Sequence, residues 1–243
     1  MKLLTSNMKL ADAIHSNYLL IPVVNRFGIS LGFGEETINN VCAEHDIDVE
    51  FFLSIINAFS NEDYFPEKKL QTFNVLMIVE YLKKTHKYYR ETQIPVIEKH
   101  LKSLFSGTSR RSKSLILVKK FFMEYKKELF THLKREEKIT FPYIEKIYKM
   151  YKSPKKKRKE KSGLHYSMEI YEEEHEEIDE KLYDLKNILI KYVSGNFDQA
   201  VCNEIIFELF RLEKDIKDHT RIENNILMPL VIEMEKSLKL RKK

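Results

Sequence analysis

The chain has little glycine, little proline and almost no cysteine. Gly and Pro number six each in 243 residues, too few to punctuate a sheet of many short strands, so long helices are expected instead. The two cysteines, Cys42 and Cys202, stand far apart and form no CxxC pair. That excludes a disulfide framework and points to a reducing compartment. The longest apolar run, Tyr18–Val24, contains Pro22 and is too short to cross a bilayer. The opening MKLLTSNMKLADAI lacks the apolar core of a secretory signal, so a cytoplasmic location without membrane contact is expected. No HExxH, GxxxxGK[ST] or GxSxG motif occurs, which removes the signatures of zinc proteases, phosphate-loop proteins and serine hydrolases.

What the chain does contain is apolar and charged residues in globular proportion, 43% and 33%. The net charge of +5 is concentrated in one run, KSPKKKRKEK from Lys152 to Lys161, outside which the chain is slightly acidic. No aromatic residue interleaves with these cations, so a stacking platform for nucleic acid is not expected, and the run reads as a solvated loop between helices.

Periodicity predicts an all-α protein in two parts. Residues 1–62 form a small helical domain: an amphipathic stretch over 12–24, a stop near Phe27-Gly28-Ile29, and helices over 35–43 and from Asp48 onward. Residues 70–240 hold four long periodic segments, near 71–104, 109–151, 166–193 and 198–238. The second carries a kink near Pro142. Two short connections and one longer basic one suit an up-down-up-down four-helix bundle.

The second half of this bundle repeats the first. His132 and Glu136 form a His-x-x-x-Glu pair, and His219 and Glu223 form another. A lone histidine precedes each pair, His86 by 46 residues and His175 by 44. Both pairs are followed, ten residues past the histidine, by an apolar–Pro step, Phe141-Pro142 and Met228-Pro229. A duplicated helical hairpin explains the repetition. Residues i and i+4 share a helix face about 5–6 Å apart, so the six side chains can point at the bundle axis. Four imidazoles and two carboxylates suit two iron ions, two histidines on each and both carboxylates bridging. An oxo or hydroxo bridge completes the ferric form. Each iron then keeps room for a small ligand such as O2 or NO. Glu137 lies at i+5 from His132, about 140° round the helix, so Glu136 is the expected ligand. His100 lies about 21 Å along its helix from His86, too far to join. His15, His45 and His165 lie outside the pattern.

These motifs, HLKREEKITFP and DHTRIENNILMP with His86 and EEEHEE before them, resemble the hemerythrin-like domain of the repair-of-iron-centres (RIC) family of di-iron proteins. The first 60 residues resemble that family's small N-terminal domain, with NRFGI at its turn and TINNVCAEHDIDVEFFLSII after it. The resemblance implies His86, His132, Glu136, His175, His219 and Glu223 as ligands of a di-iron centre. It also implies repair of iron–sulfur clusters damaged by nitric oxide or oxidants, with the damaged iron–sulfur proteins as partners and NO or O2 as small ligands. The alternative is an O2 or NO sensor without turnover. The family's adjacent Cys-Cys pair is missing here, where the chain reads Ser30-Leu31-Gly32-Phe33-Gly34. Thiol chemistry is therefore not expected of that domain, and a docking or homodimer role takes its place.

Overall fold

The computed structural model describes residues 3–61, 63–106, 113–153, 169–193 and 197–238; within these helices the side chains of 113, 169–177 and 179 are not described. Most of the basic run and the break at Ser194-Gly195-Asn196 lie outside the described residues. Among the described residues the chain is helical, and its one piece of β pairing is an isolated bridge between Lys9 and Thr37. The fold is an all-α helical bundle, as the scarcity of breakers implies.

Twelve α-helices and three π-helical turns are described. The first five helices are short: α1 (Leu10–Ser16), α2 (Leu20–Arg26), α3 (Ile38–Glu44), α4 (Val49–Ser60) and α5 (Glu67–Leu70). Then come α6 (Val75–Tyr88), a π-turn (Tyr89–Gln93) and α7 (Ile94–Ser106). Next are α8 (Lys113–Arg135), a second π-turn (Glu136–Thr140) and α9 (Phe141–Lys152), followed by α10 (Glu169–Tyr192). The last stretch is α11 (Gln199–Ile222), a third π-turn (Glu223–Leu227) and α12 (Met228–Ser237). By contact density the chain divides into two compact units, 1–88 with 221–230, and 89–220 with 231–243.

In the first unit, the amphipathic stretch over 12–24 is two helices, not one. Asn17 is extended at φ −153° and its Oδ1 accepts from the Leu19 N–H at 3.1 Å, an Asx turn that breaks the run. Thr37 and Asp48 cap the next two helices by accepting from the N–H groups of Asn40 at 3.2 Å and Phe51 at 2.9 Å. Asn57 ties down the start of the chain, accepting from Leu4 N at 2.7 Å and donating to Leu4 O at 2.9 Å. Phe52, Phe27 and Tyr81 pack in sequence, the first pair edge-to-face and the second tilted, with ring centroids 4.9 and 5.3 Å apart, and so join α4, the end of α2 and α6. The Gly28 at that helix end has φ +87°, a conformation glycine adopts without strain.

Cys42 is buried on α3, and burial together with the charge of Asp48 pushes its thiol up to about 11. At pH 8 its thiolate fraction is then about 100-fold below that of an ordinary thiol. Thiol titration of the native protein is expected to leave Cys42 unmodified until denaturant is added; rapid labelling at pH 8 would contradict this.

The second unit is built on heptad-like stripes. On α8 the buried positions are Leu115, Val118, Phe122, Tyr125 and Leu129, and on α11 they are Cys202, Ile205, Leu209, Leu212 and Ile216. Helices α8 and α10 lie side by side, joined by the Lys181–Glu128 ion pair. Lys186 on α10 is almost fully buried against Glu213 on α11 at 2.5 Å, with its ammonium over the Phe210 ring at 4.4 Å.

Candidate metal centre

The stripes that bury apolar residues end in polar ones. On α8 the register of Leu129 continues to His132 and then Glu136; on α11 that of Ile216 continues to His219 and Glu223. On α6, Ile78 and Leu82 lead to His86. Each of these five polar groups is at most 5% exposed, and His86, Glu136 and Glu223 are fully buried. Core positions normally hold apolar residues, because an ionised carboxylate without compensation is expensive there.

A local backbone device accompanies the ligand positions. The three π-turns start at Tyr89, three residues past His86, at Glu136 and at Glu223. Each is followed at its second residue by proline: Pro95, Pro142 and Pro229. Proline cannot donate a backbone N–H and its ring clashes with the carbonyl four residues back. That carbonyl belongs to Glu91, Lys138 or Asn225, each inside a π-turn. Widening the turn relieves the clash without ending the helix. The Asn225 carbonyl is taken up instead by Gln71 Nε2 at 3.2 Å. The Pro142 region is therefore a π-turn inside a continuing helix. Sequence reasoning singled out two apolar–Pro steps; the third, Ile94-Pro95, marks the same structure behind His86.

The side chains converge. His86, Glu136, His219 and Glu223 each offer a ligand atom, and these atoms all lie within 4.8 Å of one another. His132 Nε2 stands 3.4 Å from Glu136 Oε2, so it reaches the same carboxylate. The His175 side chain lies outside the described residues. Glu137, the neighbour of Glu136, points elsewhere and accepts from Arg90 Nη1 at 2.7 Å. Two further buried groups, which spacing did not reveal, stand beside the cluster. The Tyr89 hydroxyl donates to Asp215 Oδ1 at 3.2 Å, and the Tyr89 ring meets the His219 ring edge-on at 5.9 Å between centroids. Their only sequence signal is register: Asp215 lies one turn before His219, and Tyr89 one turn after His86. Next to His132, a cleft of about 520 Å³ is lined by Glu124, Lys127, Glu128, Thr131, Arg135 and Ile178.

The donor set fits a cation. Two imidazoles and two buried carboxylates converge, and the carboxylates repel each other unless positive charge lies between them. Imidazole with carboxylate is the ligand chemistry of iron, manganese and zinc. The model of the hemerythrin HHE cation-binding domain matches residues 77–231. The chain belongs to the hemerythrin HHE cation-binding family. The matched span includes all four clustered residues and all three π-turns. No curated protein matches the chain. Among the described residues no helix is long and apolar enough to cross a membrane.

Proposed function

We propose that this hemerythrin-family chain is a non-haem di-iron protein of the repair-of-iron-centres type, which restores iron–sulfur clusters damaged by nitric oxide or oxidants. The observation that carries the reading is the buried meeting of His86, Glu136, His219 and Glu223. His132 and His175 complete the ligand set, with Glu136 and Glu223 as bridging carboxylates. When bound, the iron pair supplies a labile ion and open positions for a small ligand. The protein's own part is to hold the six donors in a dry core, to orient each imidazole and to admit only small molecules. The unit around α1–α4, lacking the cysteine pair of the family it resembles, serves as a docking or dimer module. Damaged iron–sulfur proteins are the partners and the cytoplasm the place of action.

Metal analysis, with ultraviolet–visible and Mössbauer spectra of anaerobically prepared protein, tests the centre. Two irons per chain and an oxo-bridged ferric absorption are expected; one iron or none after iron is supplied refutes it. Incubating the loaded protein with a nitrosylated iron–sulfur enzyme then tests repair, with recovery of that enzyme's cluster spectrum as the expected result.

A sensor of NO or O2 is the second reading, favoured by the cleft beside His132, which gives a small molecule a place next to a ligand. Stopped-flow addition of NO to reduced protein separates the two. Nitrous oxide released over many cycles means turnover, and a stable adduct means sensing.

A further inference from the structure

Beside the ligand cluster lies a pairing that a structural core has no need of. Tyr89 is fully buried, and its phenol donates to Asp215, which is itself 5% exposed. The first π-turn begins at Tyr89 and sets this phenol toward α11. The same turn also ties Gln93 to Glu208, with Nε2 donating to Oε2 at 2.7 Å. The Tyr89 ring contacts His219 edge-on, its plane at 74° to the imidazole. Phenylalanine facing an apolar residue would fill such a position without desolvating a carboxylate. What this pair adds is an easily oxidised ring bonded to a proton acceptor.

A phenol that loses an electron becomes a strong acid. In a dry interior its proton can go only to a group already hydrogen-bonded to it. Asp215, which accepts the phenolic hydrogen bond, is such a group. We infer that Tyr89 is a sacrificial one-electron donor that shields the His219 imidazole from radical oxidation, with Asp215 taking the proton. The oxidant is a small radical of the nitrogen dioxide class, formed where nitric oxide and oxygen both dissolve in the apolar interior. In the step, Tyr89 gives one electron to the radical, which leaves as nitrite. The phenolic O–H bond breaks, its proton moves to the Asp215 carboxylate, and a neutral tyrosyl radical remains. One electron and one proton are transferred and the charge balances. The inference rests on His219 being a metal ligand, and so on the proposed centre. The Tyr89–Asp215 geometry does not depend on it.

The test uses full-length, iron-loaded protein exposed to a pulse of photochemically generated nitrogen dioxide and frozen for electron paramagnetic resonance. A tyrosyl signal is expected. Tyr89→Phe should abolish it and raise oxidation of His219 in peptide maps. Asp215→Asn should cut the yield about tenfold, the scale of one lost charge-assisted hydrogen bond. Tyr125→Phe, at a comparably buried tyrosine, should leave the signal intact. A signal that survives Tyr89→Phe, or one indifferent to Asp215→Asn, overturns the assignment. Should the phenylalanine variant fail to fold, 3-fluorotyrosine at position 89 keeps shape and hydrogen bond. It must add a fluorine splitting, and the absence of that splitting is equally fatal. Full iron loading with no radical sinks this inference alone. A Tyr89 radical in a chain that never takes up iron sinks the metal reading, and with it the shielding of a ligand, while the electron and proton transfer from Tyr89 stands.

Discussion

Glu136→Gln and Glu223→Gln are each expected to lose most of the bound metal and yet make the metal-free protein more stable. Both carboxylates are fully buried and belong to a cluster whose ligand atoms lie within 4.8 Å of one another. Two unit charges at that spacing repel by about 3 kcal/mol at the effective dielectric usual for protein sites. In the loaded protein, cations reverse this term and the carboxylates become its strongest contacts. Without metal the repulsion remains. A neutral amide of the same shape removes it. The amide's own need for hydrogen bonds offsets part of the gain, so a net stabilisation of about 1–2 kcal/mol is expected for each metal-free variant. The loaded variants should move the opposite way, because bound metal stabilises only the form that binds it. Metal content per chain and thermal unfolding with and without a chelator give both signs. Wild-type metal content in both variants would show that these carboxylates hold no ion. Destabilised metal-free variants would show that the two charges are already compensated in the empty core.

What the sequence revealed and what it hid follow one division. A helix face is a local property, so the doubled His-x-x-x-Glu spacing was enough to place His132 with Glu136 and His219 with Glu223 on buried stripes. The Asp48 cap was local too, and the helix after it begins where that residue stands, whereas the helix expected from residue 35 begins only after Thr37, whose side chain caps it. The π-turns were half visible. Proline announces a disturbed helix, but whether the chain kinks, stops or widens depends on the packing downstream. Here Phe141, Ile144 and Ile147 are all buried, and that packing keeps the helix going beyond Pro142. The break at Asn17 was hidden because Ala13, Leu20, Val23 and Val24 share one apolar periodicity across it, while the side chain that breaks it acts only two residues away. The Tyr89–Asp215 bond joins residues 126 positions apart, and beyond the register of each on its own helix nothing local pairs them. Composition marks such residues only as ordinary polar ones, and it is burial that shows them to be unusual.

Phe52→Ala is expected to be the most damaging single truncation in the first unit, and to weaken metal binding although Phe52 touches no ligand. The side chain is fully buried on α4 and packs edge-on against Phe27, which in turn lies against Tyr81 on α6. Phe51 joins the same group through Phe27, Phe73 and Tyr81. Removing a buried phenyl ring costs about 3–5 kcal/mol, part of it from the cavity that close-packed neighbours cannot fill. Against a whole-domain stability of about 5–15 kcal/mol, that loss is severe. The link to function is α6. Five residues after Tyr81 this helix presents His86, so a loosened aromatic group frees the helix that carries a ligand. A donor that is no longer pre-oriented binds more weakly, by about 10–100-fold where supporting contacts to metal ligands are lost. Phe52→Leu, which refills most of the space, should recover much of both losses. Thermal unfolding and competitive chelator titration of the two variants measure stability and affinity separately. If Phe52→Ala lowers the unfolding temperature but leaves iron affinity at the wild-type value, the aromatic group holds the unit together without steadying His86.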